Sequence, residues 1–406
     1  MRVRASGGEP VGGDMPGGPL DGITVIECAS FISGPYAGLL LAQLGARVIK
    51  VEAPGTGDAF RRWGGSSSRA QVRPQFAALN YGKQSVALDL RSDGGQAGYL
   101  ALVEAADALI ENFRPGTLDR FGVGEAAVRE RNPEIVYVTV TGFGPRGPYA
   151  GRPAYDAIVQ ALSGLWSLLS PVSKPRAVGP AMSDTVGGLN GALAVVAGLL
   201  AASRDRAAPR RLDVSMLAAT LNLLGTTVAN AAHTGEVETP YSRGRRSHSL
   251  AFRAGDGRAF AVHLSSPEKF WIRLTDVLGR ADVREDPRFS SYAARLEHFD
   301  DLLDVLEPVV ATRTRADWLR LLYAADVPAA PIHATDEVLT DPHVREAGLL
   351  GEATGPAGET FVVARGAISF AGDRHACSME VPAVGGSTVA TTSSTEKDHA
   401  RDPSTT

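Results

Sequence analysis

The sequence is poor in the residues that hold disulfide-rich or zinc-stabilised proteins together. Only two of its 406 residues are cysteines, Cys28 and Cys377, too few for a disulfide framework or a zinc cluster. The net charge is −4, from 41 basic and 45 acidic residues, so neither nucleic acid nor an anionic membrane is an expected partner. No apolar stretch reaches transmembrane length uninterrupted, and the first residues lack the apolar segment of a signal peptide. These absences favour a two-domain enzyme of the cytoplasm.

Histidine is missing from the first half of the chain, and the first one in the sequence is His233. A Ser–His–Asp hydrolase is therefore excluded for that half, and no His/Cys/Asp spacing suggests a zinc site. Acid–base or nucleophilic chemistry there would use carboxylates, tyrosine, lysine or Cys28. Cys28 lies in an apolar run and is expected to be a small buried residue.

Strand and helix patterns alternate from residue 21 to about residue 203. The first unit combines an apolar strand (24–28), an apolar helix (36–44) and a second strand (47–51), and further strands are predicted at 84–90, 108–111, 135–141 and 211–215. Such alternation predicts a doubly wound, Rossmann-like α/β domain with a parallel sheet.

The first strand–helix loop lacks the glycines of a dinucleotide-binding fingerprint. Phe31 and Ile32 occupy the positions where G-x-G-x-x-G would expose the backbone to a pyrophosphate. Glu52, at the end of the second strand, resembles the acid that binds ribose in NAD-dependent dehydrogenases, but the crowded loop argues against that class. A ligand at this sheet edge must bind in another way.

The pattern changes near His233, and a polar linker leads to a hairpin signal around Gly255 and Gly257, followed by helices at 267–278 and 302–310. The predicted organisation is a disordered leader (1–19), a large α/β domain (20–232), a linker (233–249), a smaller α+β domain (250–332), a C-terminal segment (333–388) and a disordered tail (389–406).

Asp184 is the most interesting carboxylate of the α/β domain. It precedes a very apolar helix predicted at 186–202, and Gly187 and Gly188 would leave the first turn open to a bulky ligand. Free N–H groups there could stabilise a developing anion. Spacing alone favours a simpler role, because aspartate before a helix is a good N-cap.

Several other polar residues stand where ligands gather, at the carboxyl ends of predicted strands. Arg91 and Arg120 could bind phosphates, and Asn112 and Phe113 could contact a nucleobase; solvated arginines and a turn cap are the alternatives. A cluster of arginines at 243, 245 and 246 is either a solvated loop or an anion gate. Asp156, at the start of a helix, is equally explained as a first-turn charge.

Taken together, these motifs resemble the class III CoA-transferases, the family of the formyl-CoA, carnitine and bile-acid CoA-transferases, from about Leu20 to about Thr388. The segments that carry the resemblance are LDGITVIE, GPYAGLLLAQLGARVIKVEAPGTGD, LNYGKQSVALDLRS, ADALIENFRPGTLDRFGVG, NPEIVYVTVTGFGPRGP, AYDAIVQALSG, LDVSM, VREDPRF, AADVPAAPI, LTDPHVREAGLL and PAVGGST.

The resemblance implies that Asp184, and not Asp156, is a covalent nucleophile. It places CoA contacts at Phe31, Ile32, Leu88, Arg91, Asn112, Phe113 and Arg120. It further implies acyl-CoA and carboxylic acid substrates, no permanently bound cofactor and no metal. The implied subunit is a ring in which the C-terminal segment returns to the large domain, and two rings interlock as a homodimer.

Two departures from the family bear on specificity. Formyl-CoA transferase has a glycine-only loop over its active site, whereas residues 241–248 here read YSRGRRSH, which argues against an oxalate-like substrate. The related α-methylacyl-CoA racemases carry a histidine where this chain has Tyr155, and a phenol is a poor proton carrier near neutral pH. CoA transfer is therefore the predicted reaction, with an acyl-CoA racemase or epimerase and a non-catalytic CoA-binding protein as alternatives.

Overall fold

The structure, a computed structural model, describes residues 18–64, 72–264, 268–369 and 377–387. Most of the predicted leader and the whole predicted tail lie outside these ranges. The chain divides into two compact units. The first consists of the described residues up to Ser163, Pro180–Leu223 and those from Gly348 onward, and the second of Gly164–Gly179 with the described part of Leu224–Ala347. Residues 164–179 and 224–232, predicted within the large domain, therefore fall in the second unit.

The first unit is built on a six-stranded sheet whose strands alternate with helices. Its elements up to residue 223 are β1 (Thr24–Cys28), α1 (Ser33–Gln43), β2 (Arg47–Glu52), α2 (Pro74–Asn80), β3 (Gln84–Ala87), α3 (Asp93–Glu104), β4 (Ala108–Glu111), α4 (Thr117–Arg120), α5 (Glu125–Arg131), β5 (Val136–Thr141), α6 (Asp156–Ser163), α7 (Met182–Arg204), β6 (Arg211–Ser215) and α8 (Met216–Leu223).

All neighbouring strands of this sheet are parallel, and their order is β3-β2-β1-β4-β5-β6. This is the doubly wound order, in which the chain reverses direction across the sheet between β1 and β4. The predicted α/β class is confirmed. The two strand ends at the reversal, after Cys28 and Glu111, carry the loops that hold Phe31 and Asn112.

Apolar side chains fill both faces of the sheet. One face packs against α1 and α7 through residues such as Val25, Ile110 and Val138, and the other packs against α3 and α5 through Ile26, Leu109 and Tyr137. Glycines bring α7 close to the sheet: a Cβ at Gly198 would lie 2.5 Å from Val136 Cγ1. By length and composition α7 could cross a membrane, yet its glycine face lies against the sheet.

The second unit contains a three-stranded antiparallel sheet with order β7-β8-β9 and a cluster of short helices. Its elements are α9 (Gly225–Thr234), α10 (Ser242–Arg246), β7 (Ser249–Arg253), β8 (Ala259–His263), α11 (Glu268–Leu278), α12 (Ala281–Glu285), α13 (Tyr292–Glu297), α14 (Phe299–Val310), α15 (Arg315–Ala324), β9 (Ala329–Pro331), α16 (Thr335–Val338) and α17 (Pro342–Glu346). The predicted hairpin is confirmed as β7 and β8.

The last described residues return to the first unit. Strands β10 (Leu350–Thr354) and β11 (Thr360–Ala364) form an antiparallel pair. Phe361 and Val363 join Leu39 of α1 and Phe76 of α2 in one apolar cluster. The Tyr81 hydroxyl donates a hydrogen bond to the carbonyl of Ala364 at 2.7 Å.

Candidate active site

Asp184 lies inside the first turn of α7, not before the helix. The helix begins at Met182 and its N-cap position is Ala181, whose side chain makes no capping hydrogen bond. Asp184 is therefore the third helical residue, and the prediction of an N-cap role is wrong. The sequence prediction placed the helix start at residue 186, four residues too late, because the apolar pattern begins at Val186.

The cap of α7 comes from Asp156, at the start of α6. Its Oδ1 accepts the backbone N–H of Ser183 at 2.8 Å and that of Asp184 at 3.2 Å. Its Oδ2 accepts the Gln160 amide at 2.6 Å, and the same amide nitrogen donates to the Pro180 carbonyl at 3.1 Å. Asp156 thus satisfies two of the free N–H groups of a helix almost thirty residues away, a role that its place in the sequence does not reveal.

Burial and a neighbouring negative charge set the chemistry of Asp184. Burial raises the pKa of its carboxyl group, Asp156 raises it further, and together they bring it to about 7. Among the described residues, no hydrogen bond or ion pair engages the Asp184 carboxylate. A half-buried, unpaired carboxyl group that titrates near neutrality is free to react, which a structural cap would not be.

Gly187 and Gly188 serve helix packing. A Cβ at Gly187 would lie 2.8 Å from Met216 Cγ, and one at Gly188 would lie 2.4 Å from the Ser33 carbonyl oxygen. The expectation that these glycines open the first turn to a ligand is wrong, because both are buried and other parts of the protein already occupy the space beside them. Their small size instead lets α7 approach the loop after β1.

Residues 29–35 comprise the loop after β1 and the first residues of α1, and we call this segment loop 29–35. It carries the predicted CoA contacts Phe31 and Ile32. Phe31 has a φ of +64°, in the left-handed region that non-glycine residues rarely occupy. Its ring centroid lies 6.4 Å from that of Tyr155, the residue before Asp156, and 6.1 Å from that of Phe60. Strain of this kind is common at binding sites and requires surrounding structure to hold it.

Asn112 fastens the same loop from the end of β4. Its Nδ2 donates to the Ser30 carbonyl at 2.8 Å and to Ser33 Oγ at 3.2 Å, while its Oδ1 accepts the Ser30 N–H at 3.0 Å. Both the nitrogen and the oxygen of the Asn112 amide are thus hydrogen-bonded within the protein, and the side chain shapes the loop. Loop 29–35, Asn112 and the start of α7 form one side of the candidate site.

The remaining predicted CoA contacts lie on the other face of the sheet. Leu88 and Phe113 both pack against the cluster that contains Leu109. Arg91 and Arg120 are exposed and form no ion pair among the described residues; the Arg120 guanidinium donates a hydrogen bond to Thr117 Oγ1 at 2.9 Å. The Arg91 guanidinium lies 5.8 Å from the ring centroid of Phe121, the neighbour of Arg120. The structure therefore brings two unpaired arginines into one region.

A cavity of about 260 Å³ at the carboxyl ends of β4, β5 and β6 was not predicted. Phe113 lines it, as does Glu111, whose pKa is raised to about 7 because burial outweighs its hydrogen bond from the Phe113 N–H. Asp184 does not line this cavity. Within the described ranges, no group of three or more His, Cys, Asp or Glu side chains could hold a metal ion.

The basic cluster at 243–246 belongs to α10 in the second unit. Arg245 pairs with Asp300, and Arg246 pairs with Glu238. Arg243 forms no ion pair with any described residue. Two of the three charges are thus neutralised locally, which favours a structural role for them over an anion gate.

Comparison with known proteins agrees with this architecture. The profile of CoA-transferase family III matches residues 20–388. The chain is 34% identical to acetyl-CoA:oxalate CoA-transferase of Acetobacter aceti over 84% of this chain and 87% of that protein. It is 31% identical to the probable fatty acyl-CoA transferase Rv3272 of Mycobacterium tuberculosis over 91% of this chain and 96% of the relative.

Solved structures show the same fold. The crystal structure of Rv3272 matches with a TM-score of 0.78 at 32% identity, covering 92% of this chain and 98% of that one. A CaiB/BaiF family protein from Brucella suis matches with a TM-score of 0.79 at 29% identity, covering 91% and 97%.

Proposed function

Because the chain belongs to CoA-transferase family III, we propose that it moves CoA from an acyl-CoA donor to a carboxylic acid, with Asp184 as the covalent nucleophile. The observation that carries the proposal is the unpaired Asp184 carboxyl group in the first turn of α7, beside loop 29–35. Several relatives are named for this class of reaction, with oxalate, glutarate or mesaconate in their names.

In the proposed reaction, ionised Asp184 attacks the thioester carbonyl of the donor. The C–S bond breaks, giving a mixed acyl–aspartyl anhydride and CoA thiolate. The thiolate then attacks the aspartyl carbonyl, which releases the donor's carboxylate and leaves an aspartyl-CoA thioester. The acceptor carboxylate attacks this thioester, and the same two steps in reverse return Asp184 and the new acyl-CoA.

The environment of Asp184 suits such a cycle. With a pKa of about 7, roughly half of the carboxyl groups are ionised at neutral pH, and partial burial removes water that would weaken the nucleophile. Asp156 accepts the backbone N–H groups of Ser183 and Asp184. No hydrogen bond among the described residues stabilises the Asp184 carboxylate itself. Excluding water also protects the anhydride and the thioester from hydrolysis.

CoA itself is proposed to bind across the carboxyl edge of the sheet. Arg91 and Arg120 are the candidates for its phosphates because both are exposed and free of ion pairs among the described residues. Phe31 and Ile32 would contact the pantetheine end near Asp184, with Leu88 and Phe113 supplying apolar contacts. Asn112 would act through the loop that it fastens.

A homodimer in the cytoplasm completes the proposal, with interlocked ring-shaped subunits as the resemblance implies. On α7, Leu189, Leu193 and Leu200 are each about half exposed, at 53%, 63% and 49%. Their spacing places them along one side of the helix. An exposed apolar row of this kind is typical of a surface that another chain covers.

Tyr155 supports transfer over racemisation. A racemase on this fold needs a second proton carrier opposite the aspartate, and a phenol is a poor one near neutral pH. Incubating a chiral 2-methylacyl-CoA in deuterated water tests this point. Rapid deuterium incorporation at the α-carbon without CoA transfer to any acid would favour the racemase.

An acceptor screen tests the transfer reaction. Isotopically labelled succinyl-CoA or acetyl-CoA is incubated with a panel of mono- and dicarboxylic acids, and new CoA esters are identified by mass spectrometry. Wild-type protein should form at least one new ester, and Asp184→Asn should form none. Transfer by folded Asp184→Asn at the wild-type rate would overturn the assignment of the nucleophile.

A further inference from the structure

Four charged side chains are buried together beneath the loop after β1. Lys50 Nζ lies 2.7 Å from Glu27 Oε1 and 3.0 Å from Asp58 Oδ2, and Lys83 Nζ lies 2.6 Å from Glu27 Oε2. The side chains of Glu27, Lys50 and Lys83 are fully buried, and that of Asp58 is almost so. Two lysines balance two carboxylates, so the buried group is neutral overall. We call these four residues the buried ion cluster.

The cluster is connected directly to the backbone of loop 29–35. Lys50 Nζ donates to the Ala29 carbonyl at 2.9 Å, and Lys83 Nζ donates to the Pro35 carbonyl at 2.7 Å. Asp58 Oδ1 accepts the N–H of Phe31 at 3.3 Å. The two ends of the loop and its strained residue are therefore each held by a buried charged side chain.

Stability alone gives little reason for this arrangement. Removing two ion pairs from water is costly, and apolar side chains of similar size often stabilise a core as well or better. The cluster also constrains its neighbours: a Cβ at Gly38 of α1 would lie 2.0 Å from Glu27 Oε2. Charged hydrogen bonds to backbone carbonyls do provide one thing that apolar packing cannot, a fixed direction for each peptide group.

We propose that Lys50 and Lys83 are positioning residues for acyl-CoA binding, which hold loop 29–35 and the left-handed Phe31 in the conformation that the donor requires. The inference rests on the proposed function, because it assumes that Phe31 and Ile32 contact the CoA thioester. A loop fixed before binding loses little further entropy when the donor arrives. Disturbing the cluster should therefore weaken donor binding more than acceptor binding.

The charge state of Lys83 provides a second way to test the proposal. Burial lowers the pKa of Lys83, with Lys50 acting in the same direction, and the result is about 8 even though Glu27 opposes the shift. Asp58 is the other charge that faces it. Burial alone would raise the pKa of Glu27, but the two lysines outweigh burial and lower it.

The test separates charge balance from loop positioning. Lys83→Met leaves one carboxylate in excess, whereas Glu27→Gln with Lys83→Met restores a neutral cluster of Lys50 and Asp58 but still lacks the bond to the Pro35 carbonyl. We expect the single variant to lose thermal stability and the double variant to regain it. Both should raise KM for the acyl-CoA donor at least tenfold, with KM for the acceptor acid changed less than twofold.

A matched control is the ion pair of Arg295 and Glu268, in which Arg295 is buried and the groups lie 2.8 Å apart in the second unit. Arg295→Met with Glu268→Gln should leave donor KM within twofold of wild type. If the double variant of the cluster regains both stability and wild-type donor KM, the cluster only balances charge and the inference is wrong. Absence of transfer by the wild-type enzyme would instead overturn the proposed function.

If the double variant fails to fold, the pH dependence of donor KM in the wild-type enzyme tests the inference instead. Donor KM is measured from pH 7 to 9.5, where Lys83 loses its proton and its bond to the Pro35 carbonyl weakens. We expect donor KM to rise severalfold above pH 8 while acceptor KM stays level. A flat donor KM across this range would contradict the inference.

Discussion

Asp156 accepts the backbone N–H of Asp184 at 3.2 Å, and its negative charge helps to raise the pKa of the Asp184 carboxyl group to about 7. Burial is the larger cause of the raised pKa, and Asp156 adds to it. One residue thus caps the helix that carries the candidate nucleophile and also contributes to the pH at which that nucleophile ionises. The two aspartates have different roles although they lie in the same site.

Replacing Asp156 by asparagine should lower the pKa of Asp184 by roughly one unit, because it removes the nearby charge but leaves the burial. The rate of Asp184 acylation by donor rises with pH as the carboxyl group ionises, so its midpoint should shift from about 7 toward lower pH. The measurement is a single-turnover rate against pH. An unchanged midpoint in folded protein would show that Asp156 does not tune Asp184.

Asp184→Asn should make the protein more stable at neutral and alkaline pH. The carboxyl group ionises with a pKa of about 7 in the folded protein against an ordinary value of 3.8, so its ionisation lowers stability progressively from about pH 4 to pH 7 and fully above. The variant escapes this loss. Denaturant unfolding at pH 8 should show a gain of about 1–3 kcal/mol, with little gain at pH 4. Equal gains at both pH values would point to another cause.

Much of the fold follows from the sequence pattern, and the site follows less well. The apolar runs predict β1, β4 and β6 with their observed ends. The pairing of Asp156 with the first turn of α7 was missed because it joins residues 28 positions apart. Periodicity carries no information about such contacts, which depend on how two helices meet in three dimensions.

The buried ion cluster illustrates a second limit. Lys50 interrupts an apolar strand pattern, and Glu27 does the same in β1, yet neither position shows which partner neutralises it. Similarly, Gly187 and Gly188 look open in the sequence but are covered in the fold. In each case local pattern fixes the element, and tertiary packing decides what the side chain does.

Arg91→Ala and Arg120→Ala should each weaken CoA binding by roughly 1.5–3 kcal/mol if the guanidinium contacts a phosphate directly. Neither arginine forms an ion pair within the described residues, so each guanidinium is available to bind a phosphate, and its removal costs that contact. Calorimetric titration with free CoA is the measurement, and Arg131→Ala, an exposed arginine at the end of α5, is the control. Wild-type affinity in both test variants would remove these residues from the CoA site.

A dimer that exchanges subunits slowly is also expected. Light scattering over a wide dilution series should give twice the chain mass down to nanomolar concentration, since the proposed interlocked subunits could not separate without unfolding in part. Leu193→Asp, which places a charge in the exposed row of α7, should reduce the dimer yield on refolding. A stable wild-type monomer at micromolar concentration would rule the dimer out.

Trapping the covalent intermediate tests the central claim most directly. Donor acyl-CoA alone, without acceptor, should load the enzyme, and hydroxylamine should then convert the loaded carboxyl group to a hydroxamate and inactivate the protein. Peptide mass mapping should find the hydroxamate at Asp184 and leave Asp156 unmodified, with no modification in Asp184→Asn. A hydroxamate at another carboxylate, or full transfer activity with none formed at Asp184, would contradict the account.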